Sequence, residues 1–176
     1  QPINSTVCAG GSTTFSVTAT GAGLTYQWQL STDNGVTWNN QANGGVYSNM
    51  TTATMSITGA INAMNTYQYR CVVSGTCPPS LNSNAGILTV NALPSITGQP
   101  TNQAICVGGN TTFSVTATGA GLTYQWQLST DNGVTWNNQA NGGVYTNMTT
   151  ATMNITGATI TMNTYQYRCV VSGTCP

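Results

Sequence analysis

The chain has 176 residues and almost no charge: Asp33, Asp131, Arg70 and Arg168 are its whole ionic inventory, with no Lys, Glu or His. That census removes a histidine base, a carboxylate pair within one domain for glycoside hydrolysis and a His/Asp/Glu cluster for zinc or calcium, so neither catalysis nor a cofactor is expected. Two isolated arginines form no basic stripe for nucleic acid, and no apolar run reaches the roughly eighteen residues needed to span a bilayer.

Repetition organises what remains. Residues 1–78 recur as 99–176 at a constant offset of 98 with only eleven differences, which predicts two domains, 1–91 and 92–176, of the kind found in recently duplicated arrays. Residues 1–7 read as an edge strand behind Pro2, which cannot donate to a ladder. After Ala9-Gly10-Gly11, the residues Thr13, Phe15, Val17 and Ala19 alternate with polar neighbours through Thr20. Gly21-Ala22-Gly23 then turns the chain into a strand where Tyr26, Trp28 and Leu30 alternate with glutamines. Trp28 and its repeat Trp126 are the candidate core tryptophans.

The turn Asp33-Asn34-Gly35 follows, with Val36 and Trp38 alternating around Thr37, so a β-hairpin is expected. Asp33 and Asn34 can bond the turn backbone through their own side chains, and Gly35 can take a positive φ without a Cβ clash. Beyond the loop 39–45, Val46-Tyr47 suggests a short edge strand. Residues 52–58 place Ala53, Met55 and Ile57 on one face, residues 67–73 form the next strand and residues 85–90 the last. Turn signals every 8 to 12 residues or so, with no helix-period segment, predict an all-β fold of two tandem Greek-key β-sandwiches. Residues 79–98 have no counterpart after Pro176, so the second sandwich is expected to lack its last strand.

Two resemblances sharpen this reading. Ser31, Asp33, Gly35 and Trp38, repeated as Ser129, Asp131, Gly133 and Trp136, match Ser-x-Asp-x-Gly-x-Thr-Trp, and the hairpin resembles the Asp-box of sialidase propellers. That motif is a fold device, and the arginine cluster and Tyr/Glu pair of sialidases have no counterpart here. More broadly, Trp28, Met55-x-Ile57, Tyr69-x-Cys71 and Leu88-x-Val90 resemble an immunoglobulin-like domain. The resemblance implies that Tyr69 and Tyr167 are tyrosine corners and that Cys71 and Cys169 are buried cysteines of the F strand. It also shows a departure, because Val17 stands where the partner of Cys71 would sit. Val7-Cys8-x-Gly10 together with residues 69–77 resembles the tandem immunoglobulin-like repeats of secreted and surface adhesin proteins of Bacteroidota type, which implies a secreted or cell-surface location.

Six cysteines with no histidine and no paired Cys-x-x-Cys spacing favour disulfides over a metal, yet three cysteines per repeat is an odd number. Cys8, Cys77, Cys106 and Cys175 are the disulfide candidates. In the related repeats the first and last occur together, which implies a Cys8–Cys77 bond within the domain. Sandwich geometry puts those two at opposite ends, which instead directs Cys8 to Cys175 across adjacent domains and leaves Cys77 and Cys106 for flanking domains or chains. Asn4, Asn49, Asn110, Asn147 and Asn154 begin Asn-x-Ser/Thr triplets, read either as glycosylation acceptors or as plain surface asparagines.

The expected function is a structural, non-enzymatic extracellular repeat protein that builds an adhesin stalk or filament by head-to-tail packing. Its expected partners are copies of itself, joined by domain packing, by strand donation into the open second sandwich or by intermolecular disulfides. The alternatives are a carbohydrate-binding module using Trp38, Tyr47 and Trp136 as stacking faces on a glycan, and a spacer in a secreted multidomain enzyme.

Overall fold

The alternating segments become strands in a computed structural model of residues 1–176, and the only helical pieces are single 3₁₀ turns at Asn62–Met64 and Ile160–Met162. The chain divides into two units, Gln1–Ala92 and Leu93–Pro176, each around its own apolar core.

Unit 1 contains β1 (Ser5–Cys8), β2 (Thr13–Ser16), β3 (Thr25–Ser31), β4 (Asn39–Asn40), β5 (Tyr47–Ser48), β6 (Thr54–Ile57), β7 (Gln68–Ser74), β8 (Leu81–Asn82) and β9 (Gly86–Asn91). One sheet has the order β2-β6-β5 and the other β1-β9-β7-β3-β4, with β8 also on the edge of β7. All pairs are antiparallel except β1, which lies parallel to β9 from Ser5↔Leu88 to Cys8↔Asn91. Phe15, Trp28, Met55, Ile57, Tyr69, Cys71 and Leu88 are all buried between the sheets. The one polar atom of the Trp28 ring is satisfied there, Nε1 donating to the Thr52 carbonyl at 2.9 Å. Val17 and Cys71 belong to the same core cluster, so packing takes the place of an inter-sheet disulfide.

Unit 2 contains β10 (Ser95–Gly98), β11 (Thr111–Ser114), β12 (Thr116–Thr118), β13 (Thr123–Ser129), β14 (Asn137–Asn138), β15 (Tyr145–Thr146), β16 (Thr152–Ile155) and β17 (Gln166–Ser172). Its sheets are β11-β16-β15, β14-β13-β17 and the pair β10-β12. Nothing within residues 1–176 pairs with the edge of β17 that corresponds to the β8 and β9 side of β7. Residues 103–106, the counterparts of β1, consequently form no strand: β1 has a parallel partner in β9, and here that partner is absent.

Three sequence expectations need correction. The second arm of the hairpin is not Val36–Trp38 but β4, because the Thr37 amide is spent on the Asp33 carboxylate and cannot join the ladder. Val36 is therefore 80% exposed. The strand expected over 13–20 stops at Ser16 in unit 1; in unit 2 the chain breaks at Val115, with β11 in one sheet and β12 against β10. Strands β8 and β10, of two and four residues, are too short for alternation to signal them in the sequence.

Candidate functional site

The repeated hairpin is built by a short relay of hydrogen bonds. Ser31 Oγ donates to Asp33 Oδ1 at 2.8 Å and accepts the Gly35 amide at 2.8 Å. Asp33 also accepts the Thr37 amide at 2.9 Å and the Thr37 hydroxyl at 2.6 Å. The hydroxyl of Thr37 first, then its amide and the Ser31 hydroxyl, hold the Asp33 carboxyl at about 2, below its ordinary 3.8. Asn34 and Gly35 both take positive φ, 62° and 87°, as the turn requires. Ser129, Asp131, Gly133 and Thr135 repeat the arrangement, and Asp131 is likewise lowered to about 2. Asn34 ties the turn to β7, its Oδ1 accepting Gln68 Nε2 at 2.8 Å, and Asn132 does the same with Gln166 at 3.2 Å.

Trp38 closes the hairpin, its Nε1 donating to the Gly35 carbonyl at 3.0 Å, and the Arg70 guanidinium lies over its ring at 4.3 Å. Arg70 Nε donates to Gln29 Oε1 at 2.8 Å, and Gln29 Nε2 donates to Asn40 Oδ1 at 2.8 Å. The same ladder occurs in unit 2, where Arg168 covers Trp136 at 4.4 Å and bonds Gln127. The only cations of the chain are thus committed to tryptophan faces. Trp38 flanks β4 of one sheet and Tyr47 lies in β5 of the other, so the structure does not bring these two aromatics together as one stacking face.

The tyrosine expected to cap a backbone turn makes a different bond. Tyr69 is buried, its hydroxyl meets that of Tyr47 at 3.2 Å and its ring sits 5.1 Å from Phe15; burial pushes its phenol well above the usual range. Tyr167 repeats this with Tyr145 at 3.1 Å. The core tryptophans Trp28 and Trp126 are both fully buried.

Among the cysteines, Cys8 and Cys175 are half-cystines, whereas Cys71, Cys77, Cys106 and Cys169 carry free thiols. Cys77 and Cys106, expected as disulfide candidates, are exposed thiols, and no Cys8–Cys77 bridge forms. The register explains this. Cys8 pairs beside Asn91, near where β7 begins, and Cys77 lies beyond the end of β7; seven extended residues span about 20 Å, far outside the roughly 7 Å disulfide reach. Burial pushes the Cys71 and Cys169 thiols up.

Several positioning residues carried weaker sequence signals. Asn43 Oδ1 accepts the Met50 amide at 2.9 Å and so sets the loop that seats buried Met50. Ser83 bonds both backbone groups of Cys71, its hydroxyl accepting the amide and its own amide donating to the carbonyl, each at 2.8 Å. Asn4 accepts the Ile87 amide at 2.9 Å, which employs the side chain of one Asn-x-Ser/Thr triplet in joining the first residues to β9. Gly86 is the one with a readable signal, since glycine inside a strand marks a close approach. A Cβ there would lie 2.8 Å from the Phe15 ring.

The cavities fall at places where the two units differ. In unit 1 a cavity of about 480 Å³ adjoins Val17, Ala19, Leu24 and Val73, beside residues whose counterparts pair with β10 in unit 2. In unit 2, cavities of about 500 and 410 Å³ share Phe113 and Tyr167 along the unpaired edge of β17. No group of three or more His, Cys, Asp or Glu side chains is placed to hold a metal, and no helix is long and apolar enough to cross a membrane.

Comparison with solved structures defines the fold. An I-band fragment of titin matches with a TM-score of 0.70 at 16% identity, over 99% of this chain and 59% of that one. Extracellular domains 3–5 of Drosophila OTK match at 0.57 and 14%, over 99% and 56%. This chain therefore spans a little over half the length of each. The architecture is two tandem immunoglobulin-like Greek-key sandwiches, the second without its last strand in residues 1–176. No curated protein matches the sequence. The model of the family described as Domain of unknown function (DUF8696) matches residues 2–92 and again 97–176, and through both repeats the chain belongs to that family.

Proposed function

We propose that this chain is a structural, non-enzymatic repeat of an extracellular protein, forming part of an adhesin stalk or filament by head-to-tail packing of its domains. One observation carries the reading: at a fixed period of 98 residues the sequence presents the same self-satisfied surface twice. On that surface Gln29 bonds both Asn40 and Arg70, as Gln127 bonds Asn138 and Arg168, and each arginine lies over a tryptophan. A surface of amides and hydroxyls without net charge has little self-repulsion and favours association with copies of itself. The half-cystines Cys8 and Cys175 and the tandem immunoglobulin-like fold suit an oxidising, extracellular setting.

The test is electron microscopy of the native material before and after reductant. Filaments or beaded strings with an axial repeat of one or two domains are expected. Compact isolated particles, together with glycan binding that disappears in Trp38→Ala while the fold persists, would replace the stalk by a carbohydrate-binding module.

A further inference from the structure

Asparagine followed by glycine is the least durable step of a polypeptide, since glycine has no Cβ to hinder attack by its amide nitrogen on the asparagine side chain. The chain has four such steps: Asn34-Gly35, Asn43-Gly44, Asn132-Gly133 and Asn141-Gly142. In the attack the glycine nitrogen gives up its proton and bonds to the carboxamide carbon, ammonia leaves and a succinimide forms; water then opens the ring to aspartate or isoaspartate. Both reacting groups must be loose, and here all eight are tied. The Gly35 amide is held on Ser31 Oγ and Asn34 Oδ1 on Gln68, an arrangement that Gly133 and Asn132 repeat with Ser129 and Gln166. The Gly44 amide donates to the Tyr47 carbonyl at 2.9 Å and Asn43 Oδ1 accepts the Met50 amide, as Gly142 and Asn141 do with Tyr145 and Met148. What must move to undo these ties differs. Asn43 is held by backbone groups, one of them the amide of fully buried Met50, so its release means lifting Met50 from the core. Asn34 is exposed and bonded only to the end of a glutamine side chain, so movement of the turn alone releases it.

We propose that Asn34 and Asn132 are the chain's sites of spontaneous deamidation, gated by local opening of their turns, and that Asn43 and Asn141 stay shielded until a whole unit unfolds. Ser31 and Ser129 are the positioning residues of this gate, because each holds the proton that the following glycine must lose. The product records the opening permanently. It sets a new carboxylate beside Asp33 or Asp131 in a chain whose formal net charge is zero, and isoaspartate adds a carbon to the backbone of the turn that Ser31 or Ser129 closes. The gate works in the same way whether or not the repeats build a stalk.

The experiment incubates the intact chain at mildly alkaline pH and reads deamidation at each asparagine by peptide mass spectrometry. Each rate is divided by that of the same step in the chain unfolded with urea and reductant. On that scale Asn34 and Asn132 are expected to react about tenfold or more faster than Asn43 and Asn141. Ser31→Ala and Gln68→Ala should each speed Asn34 severalfold, while Asn43 and, in the other unit, Asn132 keep their rates. Equal relative rates for Asn34 and Asn43 in the folded chain overturn the proposal, as does an Asn34 rate that Ser31→Ala leaves unchanged. So does acceleration of Asn34 and Asn43 together in both variants, which would make the whole unit the gate.

Discussion

At the scale of single residues, Asp33 shows how one carboxylate can organise a turn without any catalytic duty. Its carboxyl lies at about 2 because three hydrogen bonds stabilise the ionised form. A depressed folded value means the contribution to stability is fully present above the ordinary carboxylate value of 3.8 and is lost as the pH falls through about 2. The Thr37 amide resonance, followed by NMR, should therefore titrate with a midpoint near that lower value. A midpoint near 4 would mean that the Ser31 and Thr37 bonds are not held in solution. Asp33→Ala should remove the transition and loosen the hairpin, while Trp28→Ala in the core should cost far more, about 3–5 kcal/mol in urea denaturation.

At the scale of elements, strand formation depends on partners as much as on sequence. Ser5–Cys8 is a strand and its counterpart at 103–106 is not, because within residues 1–176 only the first lies beside a strand like β9. The seat of β9 is set by Gly86, whose missing side chain admits the Phe15 ring. Gly86→Val should therefore destabilise the intact chain by about 1–3 kcal/mol through overpacking, and Phe15→Leu should recover part of that loss. Additive losses in the double-mutant cycle would show that Phe15 and residue 86 do not compete for the same space. Residues 79–98 divide between the units, β8 and β9 completing unit 1 and β10 belonging to unit 2, and β10 lies outside the stretch that recurs, so the 98-residue period carries no signal for it.

At the scale of the whole molecule, the absence of charge governs association. With a formal net charge of zero and both arginines engaged on tryptophans, the surface offers ionic strength little to screen. The sedimentation profile should be the same in dilute buffer and in about 1 M salt, where the Debye length has fallen to about 3 Å. A strong salt dependence would point to an ionic interface that neither repeat displays.

The sequence by itself determined the fold class, the repeat and the position of most strands, because alternation, turn residues and the 98-residue period are local or self-referential signals. It also supplied the hairpin residues, whose bonds span only a few positions. Only the tertiary structure decided that Tyr69 meets Tyr47 rather than a backbone group, that Arg70 covers Trp38, that Ser83 and Asn43 seat the backbone of Cys71 and Met50, and that Cys77 is a free thiol. Those outcomes depend on which strands become neighbours across long separations. Two identical strands differ for the same reason: within residues 1–176, β7 has β8 and β9 along one edge and the corresponding edge of β17 has neither.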